Sequence, residues 1–427
     1  MIINGNASEI LDRLEEKSIH MGVTSPPYYS PIQGIRDYKT EHVTWEDGWK
    51  GELGSEPTPQ HYVSHLTSII NKFHRVLRDD GTLFLNLGDS RAGSGRGPSG
   101  KNATIKNQDE RQGFSSTQQK IPPGFKRTDM FGIPFRVGIS LQESGWYWKD
   151  CIPWVKHNGM PGSYKNRPVS TIEWILILTK TPDNYYDYVA VMQKSSESYN
   201  KDKRPRGVIR QKVNPNTKYD REDSQFKKQD NTGNPTYTGF NARYAESGGC
   251  DKRLLRSSDF FFQSFQGMWI NEEYEPLALV INNNSYGGKH YASFPVSLPT
   301  ICITAGSCEH GVCPECGNPY ERIIEKESFI TRPTIGNEDQ KGKLNPGNTQ
   351  GLERTGGHVA CSVVTTGWKP TCDCKYKDHP IQATVMDFFS GSAATGVACK
   401  NLKRTYIGIE LNPDYCKLGE QRIREGK

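Results

Sequence analysis

The chain of 427 residues has little to bury, with hydrophobic residues making up 34% of it, and much of its length is therefore expected in polar loops or insertions around a modest core. No apolar run is long enough to cross a bilayer, which excludes a helical membrane span. The opening Met1-Ile2-Ile3-Asn4-Gly5 lacks the charged and apolar regions of a secretory signal, so a soluble, cytoplasmic protein is expected. In that compartment the 11 cysteines are expected as reduced thiols or metal ligands rather than disulfides. The glycine turn Ser390-Gly391-Ser392 is not a Gly-x-Gly-x-x-Gly run, which weakens a nicotinamide or flavin reading, and no Lys-Ser/Thr follows it to cradle a phosphate. The net charge of +6 is mildly basic and compatible with a polyanionic partner without requiring one.

The regular part of the chain alternates helix and strand. Ile2 to Ala7 reads as a short strand into a turn, and Ser8 is placed to cap a helix carrying Ile10, Leu11 and Leu14 on one face. Ser18 to Val23 reads as a buried strand, and Tyr29 to Pro59 as a loop without period. Tyr62, Leu66, Ile69, Ile70 and Phe73 fall at helical spacing between Pro59 and Val76. Leu77 to Gly81 is expected as a turn before a buried strand over Thr82 to Leu87. Asp89 then sits at the carboxyl end of that strand, where open α/β sheets place ligand-contacting groups. A helix over Phe131 to Leu141 and a strand over Trp146 to Lys156 follow, and Thr171 to Lys180 reads as another strand or as the end of a helix running into one. This alternation predicts a doubly wound, mostly parallel α/β sheet.

Three stretches interrupt the pattern. Residues 91–127 are Gly, Ser, Lys and Gln with almost nothing to bury, and are expected to be mobile without a ligand. Lys194 to Arg256 is dense in cations, among them Lys203, Arg204, Arg206 and Arg210, interleaved with Tyr199, Tyr219, Tyr237 and Tyr244. Such a surface suits nucleic acid, with charge for phosphate and rings for bases, although a merely solvated insertion has the same composition. Cys313-Pro314-Glu315-Cys316 is a turn by which two thiolates grip one zinc ion, and Cys372-Asp373-Cys374 is placed to supply the other two. Cys308-x4-Cys313-x2-Cys316 also matches the spacing of a plant-type iron–sulfur site, a reading that nothing else in the chain supports. The expected domains are a catalytic part over 1–190, a basic recognition insertion over 191–268, a return over 269–306, a cysteine-rich insertion over 307–378 and a cofactor part over 379–427.

Chemistry concentrates at the two ends. Thr384 to Phe389 reads as a strand, Ser390-Gly391-Ser392 as a tight turn, Ala393 to Leu402 as a helix of small residues, and Arg404 to Glu410 as a strand ending in a carboxylate. A βαβ unit with a glycine turn and an acid about 20 residues on receives an adenosine and binds its ribose. With no pyrophosphate motif, S-adenosylmethionine fits that unit best. Near the other end, Thr24-Ser25-Pro26-Pro27-Tyr28 leaves its strand in a loop that two prolines make rigid. The Ser25 hydroxyl and Pro26 carbonyl form an acceptor pair beside the face of Tyr28, which suits a planar ligand bearing an exocyclic amine.

The pairing of Thr24-Ser25-Pro26-Pro27-Tyr28 with Asp387-Phe388-Phe389-Ser390-Gly391-Ser392 resembles the amino-methylating DNA methyltransferases, and the order of the two motifs is similar to the beta class. The resemblance extends through Asn86 to Ser90, Trp154-x-Lys156-x-Asn158-x-Met160-Pro161, Arg167-Pro168, Glu173 and His290 to Pro295. It departs where the family's second glycine is replaced, the run here reading Ser-Gly-Ser-Ala393-Ala394-Thr395. The resemblance implies a circularly permuted methyltransferase fold, with Ser25, Pro26, Pro27 and Tyr28 catalytic and a flipped base over Tyr28. It implies cofactor contacts from Thr24, Asp387, Phe388, Phe389, Gly391, Ser392, Glu410 and Asp89, and DNA contacts from Lys156 and Arg167 beside the basic insertion. Double-stranded DNA is the implied partner, in a bacterial or phage-encoded setting where a cognate restriction endonuclease acts separately in some systems. A serine before Pro-Pro implies N4 of cytosine over N6 of adenine. No Pro-Cys nucleophile accompanies these motifs, which disfavours carbon-5 chemistry, and Cys151 reads as a core residue.

Overall fold

The computed structural model describes residues 1–30, 43–93, 121–156, 171–191, 193–194, 252–253, 294–332 and 358–426. Met1–Asp187, Arg256–Glu321 and Pro370–Lys427 form one compact unit, and Tyr188–Leu255 with Arg322–Lys369 form another. Residues 94–120 of the loop expected over 91–127, nearly all of the basic insertion, and Arg167, Lys203, Arg204, Arg206 and Arg210 lie outside the described residues.

The first unit is built on a seven-stranded sheet. Its strands are β1 (Ile2–Asn4), β2 (Ile19–Thr24), β5 (Leu77–Leu87), β6 (Tyr147–Val155), β7 (Ile172–Thr179), β12 (Thr384–Asp387) and β13 (Thr405–Glu410), in the order β1-β13-β12-β2-β5-β7-β6. β7 pairs antiparallel with both its neighbours, while the other pairings are parallel. The expected doubly wound, mostly parallel sheet is therefore observed. β12 and β13 come last in the chain yet lie inside the sheet, with β12 beside β2 and β13 covered by β1. The loops leaving β12 and β2 consequently emerge side by side at their carboxyl ends, the position at which open α/β sheets take ligands.

Helix α1 (Ala7–Arg13) follows β1, α2 (Pro59–Val76) precedes β5 and α3 (Ile133–Glu143) precedes β6. α4 (Ser297–Gly306), α5 (Ala394–Asn401) and α6 (Pro413–Glu425) complete the helices of the unit among the described residues. α2 shows why this sequence folds as it does. Thr58 caps it by accepting from the His61 N–H at 3.2 Å, Pro59 occupies the first turn where no N–H is needed, and Tyr62, Leu66, Ile70, Phe73 and Val76 are fully buried. Each of those large side chains contributes about 1.5–3 kcal/mol on leaving water.

Local differences from the sequence reading have physical causes. Asn6, not Ser8, caps α1, because its Oδ1 accepts from the Ser8 N–H at 3.0 Å and Ser8 itself lies inside the first turn. Leu77 to Gly81 is the start of β5 rather than a turn: the pairing of Leu77 with Ile19 carries the strand back across a bulge. The stretch 29–59 contains a two-residue hairpin, β3 (Val43–Thr44) with β4 (Lys50–Gly51). β12 ends at Asp387, so Phe388 and Phe389 belong to the turn.

In the second unit the described residues form two ladders, β8 (Gln193–Lys194) antiparallel to β9 (Lys252–Arg253), and β10 (Glu321–Arg332) with β11 (His358–Lys369). Inside it the Arg322 guanidinium lies 4.3 Å from the Trp368 ring centroid. The stretch expected as one cysteine-rich insertion is thus divided, its four paired cysteines staying in the first unit and 322–369 falling in the second.

Candidate active site

The loops after β2 and β12 line one cavity of about 1050 Å³, a volume at the upper end for small-molecule sites. Ser25, Pro26, Pro27 and Tyr28 come from the first loop, and Phe388 to Ser392 with Glu410 from the second side. No cysteine is among the described lining residues.

On the β2 side, side chains build the rigidity. The Tyr28 hydroxyl donates to Glu173 Oε2 at 2.8 Å and accepts from Asn86 Nδ2 at 2.9 Å and from Ser25 Oγ at 3.2 Å. Asn86 Nδ2 also reaches Glu173 Oε2 at 3.1 Å, and Lys156 Nζ forms an ion pair with Glu173 Oε1. The Tyr28 ring packs on Gly88, where an added Cβ would sit 2.6 Å from Tyr28 Cε2, so glycine is needed for that approach. Burial, with Glu173 close by, pushes the Tyr28 phenol well above its ordinary range and keeps it a neutral donor. The chain Lys156–Glu173–Tyr28–Ser25 therefore commits the serine proton to tyrosine and leaves the serine lone pairs to accept. Of the two proline carbonyls, that of Pro27 accepts from Tyr62 on α2 at 2.8 Å. Among the described residues no donor reaches the Pro26 carbonyl. Ser25 Oγ also accepts from Asn86 Nδ2 at 3.5 Å, which leaves it one lone pair to accept beside the open Pro26 carbonyl, while Lys156 is committed to Glu173.

On the β12 side the backbone carries the structure. Asp387 is buried and holds the turn: Oδ1 accepts from Thr24 Oγ1 at 2.6 Å and from the Phe389 N–H at 3.1 Å, and Oδ2 from Thr395 Oγ1 at 2.7 Å. Burial outweighs those hydrogen bonds and raises its carboxyl to about 6. Glu410 lines the cavity and accepts from the Gly391 N–H at 2.8 Å and the Asn412 N–H at 2.8 Å, and burial raises its pKa too. Gly391 has φ +51° and Ala393 has φ +58°, so the position where the motif usually carries its second glycine keeps the left-handed conformation with an alanine in it. That methyl is fully buried against Gly419 of α6, where an added Cβ would lie 3.0 Å from the Ala393 Cβ.

Thr24, Asp387 and Asp89 do not line the cavity. Asp89 instead caps α3, with Oδ2 accepting from the Gly132 N–H at 2.9 Å and Oδ1 from the Ile133 N–H at 3.2 Å. Glu173, behind Tyr28, and Phe294, in the lining, were visible only as part of the resemblance, while Asn6, Asn412 and Tyr415 line the cavity without any local signal in the sequence. Among the described residues the lining carries the carboxylates of Glu9, Glu46, Asp47, Glu52 and Glu410 against the ammonium of Lys72, a balance that opposes a phosphate-bearing ligand and suits a cationic one. Cys151 lies on β6 with its thiol pushed up to about 11 by burial and Asp150, so it is no nucleophile near neutral pH.

Away from the cavity, Cys313, Cys316, Cys372 and Cys374 bring their sulfurs within 4.8 Å of one another. Val312 and Ile381 exchange backbone hydrogen bonds at 2.8 and 2.9 Å, which joins the two halves of the cluster. Burial works to raise the Cys313 thiol, but the Cys316 and Glu315 N–H groups aimed at it prevail and bring it down to about 7. Cys308 stands outside the group and donates to the Tyr320 carbonyl at 3.4 Å, so the iron–sulfur spacing is not assembled. Arg78, at the start of β5, donates to the Cys316 carbonyl at 2.6 Å and ties the cluster to the sheet.

Residues 19–313 and 378–421 match the family profile of the N6 and N4 methyltransferases, described as DNA methylase. The Type II methyltransferase M.Cfr9I of Citrobacter freundii is 36% identical over 426 residues, covering 99% of this chain and 87% of its own length. The Type II methyltransferase M.SmaI of Serratia marcescens is 25% identical over 424 residues, covering 99% and 90%. Among solved structures, the cytosine-N4-specific PvuII DNA methyltransferase aligns over 100% of this chain and 93% of its own with a TM-score of 0.44 and 14% identity, too weak a likeness to bear on function. A profile matched on both sides of the cysteine cluster and a relative matched almost end to end agree with the two loops at the cavity: the chain belongs to the N6/N4 class of DNA methylases.

Proposed function

We propose that this DNA methylase transfers a methyl group from S-adenosylmethionine to the exocyclic N4 of cytosine in double-stranded DNA. The observation that carries the reading is the single cavity shared by Ser25 to Tyr28 and by Phe388 to Ser392 with Glu410. The acidic lining, the apolar wall of Phe388 and Phe389 and the Glu410 carboxylate fit an adenosine with a cationic side chain. When bound, S-adenosylmethionine supplies an electrophilic methyl group on a sulfonium. Glu410 retains lone pairs for the ribose hydroxyls, and the Phe389 to Ser392 turn forms the adjoining wall.

The target base reaches such a cavity only if flipped from the duplex, at a cost of a few kcal/mol. Tyr28, its hydroxyl fixed by Glu173 and Asn86, supplies the stacking face. The amine of cytosine is a poor nucleophile because its lone pair is conjugated into the ring. Ser25 Oγ and the Pro26 carbonyl accept its hydrogens, localise that lone pair and aim it across the cavity, so transfer is direct and needs no covalent enzyme intermediate. Orientation and charge stabilisation do the work. Serine rather than aspartate at this position favours cytosine on the family resemblance, in which a serine before Pro-Pro accompanies N4 methylation. Residues 191–268, with Lys203, Arg204, Arg206 and Arg210, are assigned to target recognition on their composition. A structural zinc ion belongs to the same proposal, since four converging thiolates fill its coordination and leave no catalytic position.

Nucleoside mass spectrometry of DNA from a methylation-free host expressing the protein tests this. N4-methylcytosine is expected. N6-methyladenine would keep the mechanism and reverse the base, and DNA binding with neither product would make the chain a binding protein that has lost turnover.

A further inference from the structure

At the edge of the cavity, the hairpin β3–β4 and helix α2 bring together Asp47, His61 and His65, whose ligand atoms lie within 4.8 Å of one another. Each residue has a second polar atom, and for two of the three it is already taken. Asp47 Oδ1 accepts from the Trp49 N–H at 2.9 Å, and His65 Nδ1 faces Glu56 Oε1 at 3.1 Å. What remains converges: His65 Nε2 lies 3.1 Å from Asp47 Oδ2, and His61 Nε2 contacts the same oxygen. His61 and His65 are four apart on α2, so both rings project from one face. Trp45 stacks on the His65 ring at 3.9 Å and 7°, fixing its plane.

A neutral imidazole has one N–H. The Glu56 carboxylate, fully buried, takes that of His65 at Nδ1, and the lone pair at Nε2 is then aimed at a carboxylate oxygen. Two acceptors facing one another, with a second imidazole nitrogen at the same oxygen, require a cation between them. We propose that Asp47 Oδ2, His61 Nε2 and His65 Nε2 bind a divalent d-block metal ion, with Glu56 orienting His65 from behind. Two imidazoles and one carboxylate suit zinc, cobalt or nickel, whereas magnesium and calcium take oxygen ligands. A carboxylate behind a ligating histidine is the usual means of fixing its tautomer. Bonds of about 2.0–2.2 Å at tetrahedral angles set ligand atoms about 3.3–3.6 Å apart, so Asp47 Oδ2 must draw back slightly from both imidazole nitrogens to admit the ion.

The ion would act as a clasp rather than a catalyst. It would pin the hairpin turn to α2, and Glu56, which receives the Gly54 N–H at 2.7 Å, continues the fastening to Ser30 through the Gly54 carbonyl at 2.8 Å. Ser30 lies two residues beyond Tyr28. The metal would therefore hold one wall of the cavity, to which Trp45, Asp47 and His65 contribute.

The test is metal content and cobalt spectroscopy on the full-length protein, stripped with a chelator and titrated with Co²⁺. Wild type is expected to take up one equivalent beyond the thiolate cluster, giving a spectrum without thiolate-to-cobalt charge transfer. His61→Asn should lose that equivalent and keep the thiolate band, which reports that the variant is folded. Glu56→Gln should weaken it about 10- to 100-fold. Equal stoichiometry in wild type and His61→Asn would overturn the site and leave a proton as the bridging cation. Because the readout is metal binding, loss of this inference and failure of the methylation assay are separate results.

Discussion

The two loops that form the cavity leave neighbouring parallel strands at the same end of the sheet, yet they are held in opposite ways. The loop after β2 is fixed by prolines and by a relay of side chains running from Lys156 through Glu173 and Tyr28 to Ser25. The loop after β12 is fixed by backbone N–H groups converging on two carboxylates, the buried Asp387 and the cavity-lining Glu410. The first leaves a lone pair of Ser25 Oγ and the Pro26 carbonyl to work on a substrate amine. The second uses its carboxylates to shape main chain, as a wall against which a cofactor lies requires. One loop is rigid in order to act, the other in order to fit, and the chemistry of each follows from what its polar atoms have left to give.

The largest expected effect breaks the first loop. Ser25→Ala removes one of the two acceptors and should lower kcat by on the order of 10²–10³-fold, with DNA binding unchanged in a gel-shift assay. Near-normal turnover would show that the Pro26 carbonyl suffices.

On the other loop, the Asp387 carboxyl stands at about 6 against an ordinary 3.8, so the folded protein holds that proton more tightly than the unfolded chain. Its stabilising contribution is full below about pH 4 and lost as pH rises through about 6, amounting to about 3 kcal/mol. Asp387→Asn keeps the shape and cannot ionise, so the fall in melting temperature over that window should flatten. An unaltered profile would assign the pH dependence to other groups.

Glu173→Gln sharpens the comparison, because it cuts the relay without touching the cavity acceptors. Turnover should drop on the order of 10- to 10²-fold while cofactor affinity stays the same, as measured by single-turnover kinetics and calorimetry. A matching loss of cofactor affinity would mean that the two loops are not separately held.

The smallest effect lies at the two left-handed positions of the β12 turn. Gly391→Ala should cost about 1–2 kcal/mol in chemical denaturation, the penalty for a side chain in that conformation. Ala393→Gly should change stability by less than about 1 kcal/mol, since relief of strain is offset by the loss of a buried methyl and by a more flexible unfolded chain. A large loss in the second variant would show that the contact with Gly419 dominates.

Much of this could be read from local pattern. The apolar spacing of α2 gave its bounds, Pro59–Val76, because period and cap coincide there. Ser25-Pro26-Pro27-Tyr28 announced a rigid loop because proline acts on its own neighbours whatever the rest of the chain does. Asp89 was expected as a cofactor contact because the end of a strand is a favoured place for a ligand, and only the approach of α3 shows its carboxylate serving as a cap. The Asp47, His61 and His65 cluster passed unseen, because no motif marks residues that a two-residue hairpin and a helix bring together.

The sequence by itself determined the alternation of elements, the mostly parallel sheet and the residues of both loops, since all of these depend on periodicity and on the conformational limits of proline and glycine. Tertiary structure alone decided which polar atoms are spent and which are free. The proton of Ser25, the carbonyl of Pro27 and the charge of Lys156 are each committed by a partner between 3 and 35 residues away, and Asp387 is held by Thr24 across 363. A hydrogen bond is a property of two groups in space, and a sequence names only one of them at a time.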